Sequence, residues 1–271
     1  MIRIWAIGDL HLGFSTGKWM DRFGPHWIDH HLKVEASWRE RVAPGDIVLL
    51  PGDFSWAMKP DEVARDFTWL AQLPGRKVLI KGNHDYWWPK TATRMQELLP
   101  PGTFAIKRKG LVIDGIPFFG VRGGDFVPSA SSTVMEANGI EGGRAVDAAG
   151  EPGAREAAAK DGSAELERER HELALSIEHM ATLPGREHPP IALFHYPPFP
   201  MGESESFFTR MVEETGARTC LFGHLHTQLD WERVFQGDFH RVTYRLVSCD
   251  FLDFKPLLIQ EVGREIDRPI L

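Results

Sequence analysis

The chain has 271 residues, 42% of them hydrophobic and 25% charged, which is enough apolar content for a large core and too much for wholesale disorder. A formal net charge of −7 repels a phosphate backbone unless a local positive patch intervenes, so nucleic acid is disfavoured as a bulk partner. No apolar run approaches the ~18 residues of a membrane span, and the apolar stretch at the N-terminus is too short for a secretory signal.

In chain order, short apolar runs at 2–7, Ile47–Leu50 and 78–80 predict strands. Between them, Trp27, Ile28, Leu32 and Trp38 predict a helix over 27–42, and Val63, Phe67, Leu70 and Leu73 another over 61–73, behind Pro60. Pro89 marks the start of a third helix reaching residue 99. Strand–helix–strand alternation implies right-handed crossovers and a largely parallel sheet. Further on, Leu111–Ile113 and 117–121 flank Asp114-Gly115 as a hairpin. Residues 128–163, rich in Ser, Ala, Gly and scattered charges, read as an exposed, partly mobile insertion in a single domain spanning 1–271. A helix over about 164–183 follows, then strand candidates at Ile191–Phe194 and Thr219–Phe222, and two more in "RVTYRLVSCDFL" and "KPLLIQEV". Cys220 and Cys249 have no metal-motif spacing; they are expected to be buried thiols in a reducing compartment, the cytoplasm.

Five of these apolar runs end alike. The run at 2–7 ends in Gly8-Asp9-Leu10-His11, Ile47–Leu50 in Pro51-Gly52-Asp53, 78–80 in Gly82-Asn83-His84-Asp85, Ile191–Phe194 in His195, and Thr219–Phe222 in Gly223-His224-Leu225-His226. Carboxyl ends of strands in an open α/β sheet share one edge, and ligands bind there. Asp9, His11, Asp53, Asn83, His195, His224 and His226 therefore form a candidate metal-ligating set of oxygen and imidazole donors without thiolate, suited to Mn²⁺, Fe²⁺ or Zn²⁺. Seven ligands exceed what one tetrahedral ion with an open position uses, and suit two divalent ions sharing a carboxylate and a bridging water. Two such ions, two aspartates and a hydroxide sum to about +1, a locally cationic pocket in an acidic chain that suits a phosphate ester.

These blocks together resemble the signature blocks of the calcineurin-like metallophosphoesterases. The resemblance implies an α/β fold, a four-layer α/β/β/α sandwich of two mixed sheets flanked by helices. It implies a dinuclear metal site with Asp9, His11 and His226 on one ion, Asn83, His195 and His224 on the other, and Asp53 bridging. It also implies phosphoester hydrolysis with the bridging hydroxide as nucleophile, and gives His84 a role at the phosphate, where it assists the leaving oxygen. Asp85 is expected to orient a neighbouring histidine.

The pattern departs from some relatives. Trp56 and Ala57 stand where serine/threonine phosphoprotein phosphatases, which resemble this family, carry Asp-Arg, and Trp56 cannot replace the metal-binding tyrosine of purple acid phosphatases. Arg122, within Gly120-Val121-Arg122-Gly123-Gly124, is a candidate substitute phosphate contact or a solvated loop arginine. Tyr86-Trp87-Trp88 either stacks a nucleobase or wedges a helix against the sheet, and His26, His30 and His31 are expected on a wet helix face or a pocket rim. The expected substrate is a small phosphomono- or phosphodiester, a nucleotide being one option. A nuclease of the same family and a non-catalytic scaffold on this fold are the alternatives.

Overall fold

The computed structural model describes residues 1–126 and 152–263. Two sheets organise them. In the first, β1 (Ile2–Ala6), β2 (Ile47–Leu50), β3 (Arg76–Leu79) and β4 (Thr103–Ala105) run parallel, and β11 (Leu257–Val262) joins β1 antiparallel, giving the order β11-β1-β2-β3-β4. The second has the order β5-β6-β7-β8-β10-β9. Its parallel centre is β6 (Ile116–Val121), β7 (Ile191–Phe194), β8 (Thr219–Phe222) and β10 (Val242–Leu246), with β5 (Leu111–Ile113) and β9 (Gly237–Phe239) antiparallel at its edges.

Side-chain alternation along the strands makes the layers. Ile4, Ala6, Ile47, Leu49 and Val78 of the first sheet meet Ile116, Phe118, Ile191, Leu193 and Leu221 of the second in one apolar cluster between the sheets. Trp5, Val48, Leu50 and Leu79 point the other way, onto helices α1 (His30–Arg41), α2 (Ala64–Ala71) and α3 (Ala92–Leu98). Phe119, Ala192, Phe194, Cys220 and Phe222 likewise pack on α4 (Pro152–Thr182) and α5 (Phe207–Glu214); a short α6 (Gln228–Arg233) follows β8. The architecture is the expected α/β/β/α sandwich of two mixed sheets. No helix of the described residues is long and apolar enough to cross a membrane.

Helix boundaries differ from the periodicity for local reasons. Trp27 lies in a 3₁₀ turn (Pro25–Trp27), and Asp29, at φ 53°, separates that turn from α1. Helix α3 starts where the Thr91 hydroxyl accepts from the Arg94 amide, so a side-chain cap rather than Pro89 sets its start. The backbone of α4 is helical from Pro152, upstream of the expected 164, in keeping with the Ala, Glu, Lys and Arg content of that stretch. The rest of the insertion expected at 128–163 lies outside the described residues.

Candidate metal centre

The five predicted strand ends converge. Lateral hydrogen bonds run past the strands into the turns: Asp9 N donates to Gly52 O at 3.0 Å, His11 N to Asp53 O at 2.9 Å and Gly223 N to His195 O at 3.0 Å. The two sheets are sewn together at the same end, where Gly8 N donates to Val247 O at 2.6 Å and Cys249 N to Gly8 O at 3.0 Å. Four of the turn residues adopt left-handed backbone although none is glycine: Asp9 (φ 55°), His11 (φ 44°), Asp53 (φ 49°) and His224 (φ 75°). Such angles are uncommon for non-glycine residues, and here they turn donor side chains back over the sheet edge. Two glycines make room. A Cβ on Gly82 would collide with the Asp53 carboxylate and amide, and one on Gly223 with Asp9 Oδ2.

Two groups of donors could each hold a metal ion: Asp9, His11 and His226, and Asp53, His195 and His224. Each takes residues from both sheets. In the first, His11 Nε2 and His226 Nε2 lie 3.3 Å apart, and Asp9 Oδ1 is 3.9 Å from His226 Nε2. In the second, Asn83 Oδ1 is 2.5 Å from His195 Nε2 and 3.0 Å from His224 Nδ1, and those two nitrogens are 3.3 Å apart. Tetrahedral ligation at about 2.1 Å puts donor atoms about 3.4 Å apart, which the two 3.3 Å nitrogen–nitrogen spacings match. Asp53 Oδ2 lies 3.4 Å from His195 Nε2 and 3.7 Å from His11 Nε2, between the groups.

Outer contacts fix which ring nitrogen faces inward. His195 Nδ1 is 3.0 Å from Pro51 O, which leaves Nε2 for the centre. His226 Nδ1 is 3.0 Å from Asp250 Oδ1, which does the same there. Asp250 was not foreseen: it follows β10 without the glycine that precedes Asp9, Asp53, Asn83 and His224 in their turns. Asp85, by contrast, orients no histidine through its hydrogen bonds. It accepts from the amides of Phe54, Ser55 and Gly82 and from Trp87 Nε1, at 2.8–3.1 Å, tying the turns after β2 and β3 together. Buried backbone donors claimed that carboxylate first.

The electrostatics favour a cation at this centre. Burial pushes the Asp9 carboxyl up to about 7 against the pull of His226. Burial, then Asp85 and Asp9, push Asp53 well above the carboxylate range. Burial also holds His11, His195 and His224 well below the ordinary imidazole value, so they stay neutral, the form that ligates. Burial opposes charge on His226 as well, but Asp250, with Asp9 and Asp230, raises its pKa. A divalent cation reverses the cost for both carboxyls and suits the neutral imidazoles.

His84 sits beside the first group, its ring centroid 5.6 Å from that of His11, its amide donating to Asp53 Oδ1 at 2.8 Å and its buried Nδ1 without a partner among the described residues. Burial, with His226 and Lys18, lowers its pKa to about 3. Trp56 fills the space between His11 and His84 at 4.7 and 4.5 Å, forming a wall of the site that its motif position alone did not reveal. Arg122 pairs with Glu169 at 3.0 Å and with Glu165, and its carbonyl accepts from the amides of His195 (3.1 Å) and Tyr196 (2.9 Å). Trp87 is a wedge, edge-on to Phe67 at 5.2 Å. His30 is neither on a wet face nor on a rim. It is buried, with Nε2 2.9 Å from Leu10 O, because the loop carrying Asp9 and His11 folds over the start of α1.

Two proteins of mycobacterial phages, the gene 66 proteins of D29 and L5, match at 37% identity over 86 residues and 29% over 85. Each match covers 31% of this chain and 41% of the relative, so the chain spans less than half the length of these relatives. Similar solved structures include a protein of unknown function from Aquifex aeolicus, at 12% identity and a TM-score of 0.46, with 95% of this chain and 96% of that one covered. Another is the phosphopantetheinyl hydrolase of Mycobacterium tuberculosis, at 15% identity and a TM-score of 0.44, with 91% and 88% covered. The family model for calcineurin-like phosphoesterases matches residues 2–228, and this chain belongs to that family.

Proposed function

We propose that this protein hydrolyses small phosphate esters with two divalent cations, of which Mn²⁺, Fe²⁺ and Zn²⁺ suit the donors best. The observation that carries the reading is Asp53, whose carboxylate lies between two nitrogen-rich groups at 3.4 and 3.7 Å. Asp9, His11 and His226 would hold one ion, Asn83, His195 and His224 the other, and Asp53 both. When bound, such ions activate a water as nucleophile towards phosphorus and offset charge on the phosphate oxygens.

The chain's own residues supply the rest. Pro51 O and Asp250 keep the rings of His195 and His226 in one orientation. His84 is neutral in the free site, so its role begins as a hydrogen bond to the leaving oxygen; the negative phosphate beside it then raises its proton affinity towards transfer. Arg122 keeps its Nε–H unpartnered among the described residues and is the proposed arginine contact to the substrate. The net charge of −7 favours a small ester over a nucleic acid. All eight metal-ligating and leaving-group residues are kept, against the scaffold reading. The two free buried cysteines are consistent with a reducing cytoplasm, and we take residues 1–271 as one domain.

Hydrolysis of aryl phosphate mono- and diesters with Mn²⁺, before and after chelation, tests the reading. Activity is expected to vanish on chelation and to return with metal. Turnover that survives complete metal removal would overturn it.

A further inference from the structure

A cavity of about 350 Å³ lies between the ends of β3, β4 and β6 and helix α4, a volume suited to a small organic molecule. It adjoins the metal centre. Lys81 in its wall stands two residues before Asn83, and Arg122 in its wall accepts from the His195 amide through its carbonyl.

Five cations line it: Lys81, Lys107, Arg108, Arg122 and Arg168. The nearby carboxylates are already committed, Glu172 to Arg108 at 2.6 Å, and Glu169 and Glu165 to Arg122. Lys81, Lys107 and Arg168 have no ion pair among the described residues. Among the described residues Lys107 donates only to carbonyls, at 3.1 Å for Pro89 O, and Glu172, already paired with Arg108, acts on it through space without an ion pair.

The unsatisfied groups are of one kind. Trp88 is 7% exposed, and among the described residues its buried Nε1–H has no acceptor. Arg122 Nε–H is buried without one as well. The Lys81 ammonium has no hydrogen bond among the described residues. A wall of orphan donors without orphan acceptors calls for a ligand rich in negative oxygen, since a neutral apolar guest would leave each donor unmet. Ile80, Ile106 and Val121 complete the wall with apolar surface for the guest's body.

We propose that this cavity binds the organic part of the substrate, and that this part carries a second phosphate held by Lys81, Arg122 and Trp88. This rests on the phosphohydrolase reading and narrows it to small molecules with two phosphate groups. The second phosphate is not the reacting one; it positions the ester over the metal centre.

The test compares kcat/KM for adenosine 3′,5′-bisphosphate and adenosine 5′-monophosphate with Mn²⁺ present. The bisphosphate is expected to be favoured at least about tenfold, mainly through KM, as suits a lost charge-assisted hydrogen bond. Lys81→Met and Trp88→Phe bring the ratio towards one, and Lys81→Arg retains it. Equal efficiency for the two substrates, or a preference that Lys81→Met leaves intact, overturns the proposal. Calorimetric titration of the metal-free protein with adenosine 3′,5′-bisphosphate separates this result from a failure of the phosphohydrolase reading. If no ester is hydrolysed, binding that weakens about tenfold in Lys81→Met still supports the cavity. Binding identical in the two proteins overturns it.

Discussion

Removing the Asp250 carboxylate tests how far the metal centre depends on contacts outside its ligands. Asp250 Oδ1 is 3.0 Å from His226 Nδ1, and its side chain is wholly buried. It holds the ring so that Nε2 faces His11, and it raises the His226 pKa against a burial effect that alone would lower it. Loss of such a partner typically weakens metal binding 10–100-fold, or about 1.4–2.7 kcal/mol. Asp250→Ala removes both orientation and charge and should reach the upper end. Asp250→Asn keeps an acceptor for Nδ1–H and should lie nearer the lower. The pH dependence has a definite sign. A raised imidazole pKa lets protons compete with the cation on the acid side, so Asp250→Asn should lower the plateau affinity for Mn²⁺ while moving the acid midpoint of binding to lower pH. Calorimetric titration of metal-free protein between pH 5 and 8 reads both quantities. If neither variant changes plateau or midpoint, His226 is not held by Asp250 in any way that matters to a metal, and the argument fails.

Other expectations follow from separate features. Gly223→Ala should keep the fold but displace Asp9, whose Oδ2 occupies the space a Cβ needs, and metal content after desalting should drop at least about tenfold; parental metal content would show that the carboxylate yields freely. Asp66 is buried beside Ser55 and the Phe14 amide, and burial raises its pKa to about 6. A carboxyl raised in the folded state carries no penalty below about 4 and its full penalty above about 6, so stability falls through that window. Asp66→Asn should remove the fall, gaining up to about 3 kcal/mol relative to the parent between pH 4 and 6.5 in urea titrations; parallel profiles would refute it. Leu221→Ala, in the layer between the sheets, should cost about 2–5 kcal/mol, and a loss below 1 kcal/mol would mean that the two sheets close over the gap.

The donor-bearing turns were legible because three local signals coincide there: an apolar run, a glycine, and a side chain able to ligate. Asp9, Asp53, Asn83 and His224 all follow that rule, His195 ends its apolar run without a glycine, and the structure brings the five together. The hairpin at Asp114-Gly115 was legible for the same reason, since turn chemistry is local, whereas the continuous apolar run Ile47–Leu50 does not say which residues face the other sheet; only the packing sorts Ile47 and Leu49 from Val48 and Leu50. What was not legible depends on contacts distant in sequence. Asp250 reaches His226 across 24 residues, and His30 reaches Leu10 across 20, with nothing in their neighbours to announce either. Asp85 was misjudged because a carboxylate near histidines suggests a histidine partner, whereas the orphan amides of two adjoining turns were nearer.

Because each donor group takes members from both sheets, metal supply bears on more than turnover. A bound ion would join Asp9 and His11 to His226, or Asp53 to His195 and His224, and so would rivet the halves of the sandwich at the end where their backbones turn away from regular pairing. At a free concentration a hundred times its dissociation constant, one such ion adds about 2.7 kcal/mol to the folded state. A cell short of the cation would then hold a protein that is both idle and easier to unfold, and the same shortage would mark it for removal.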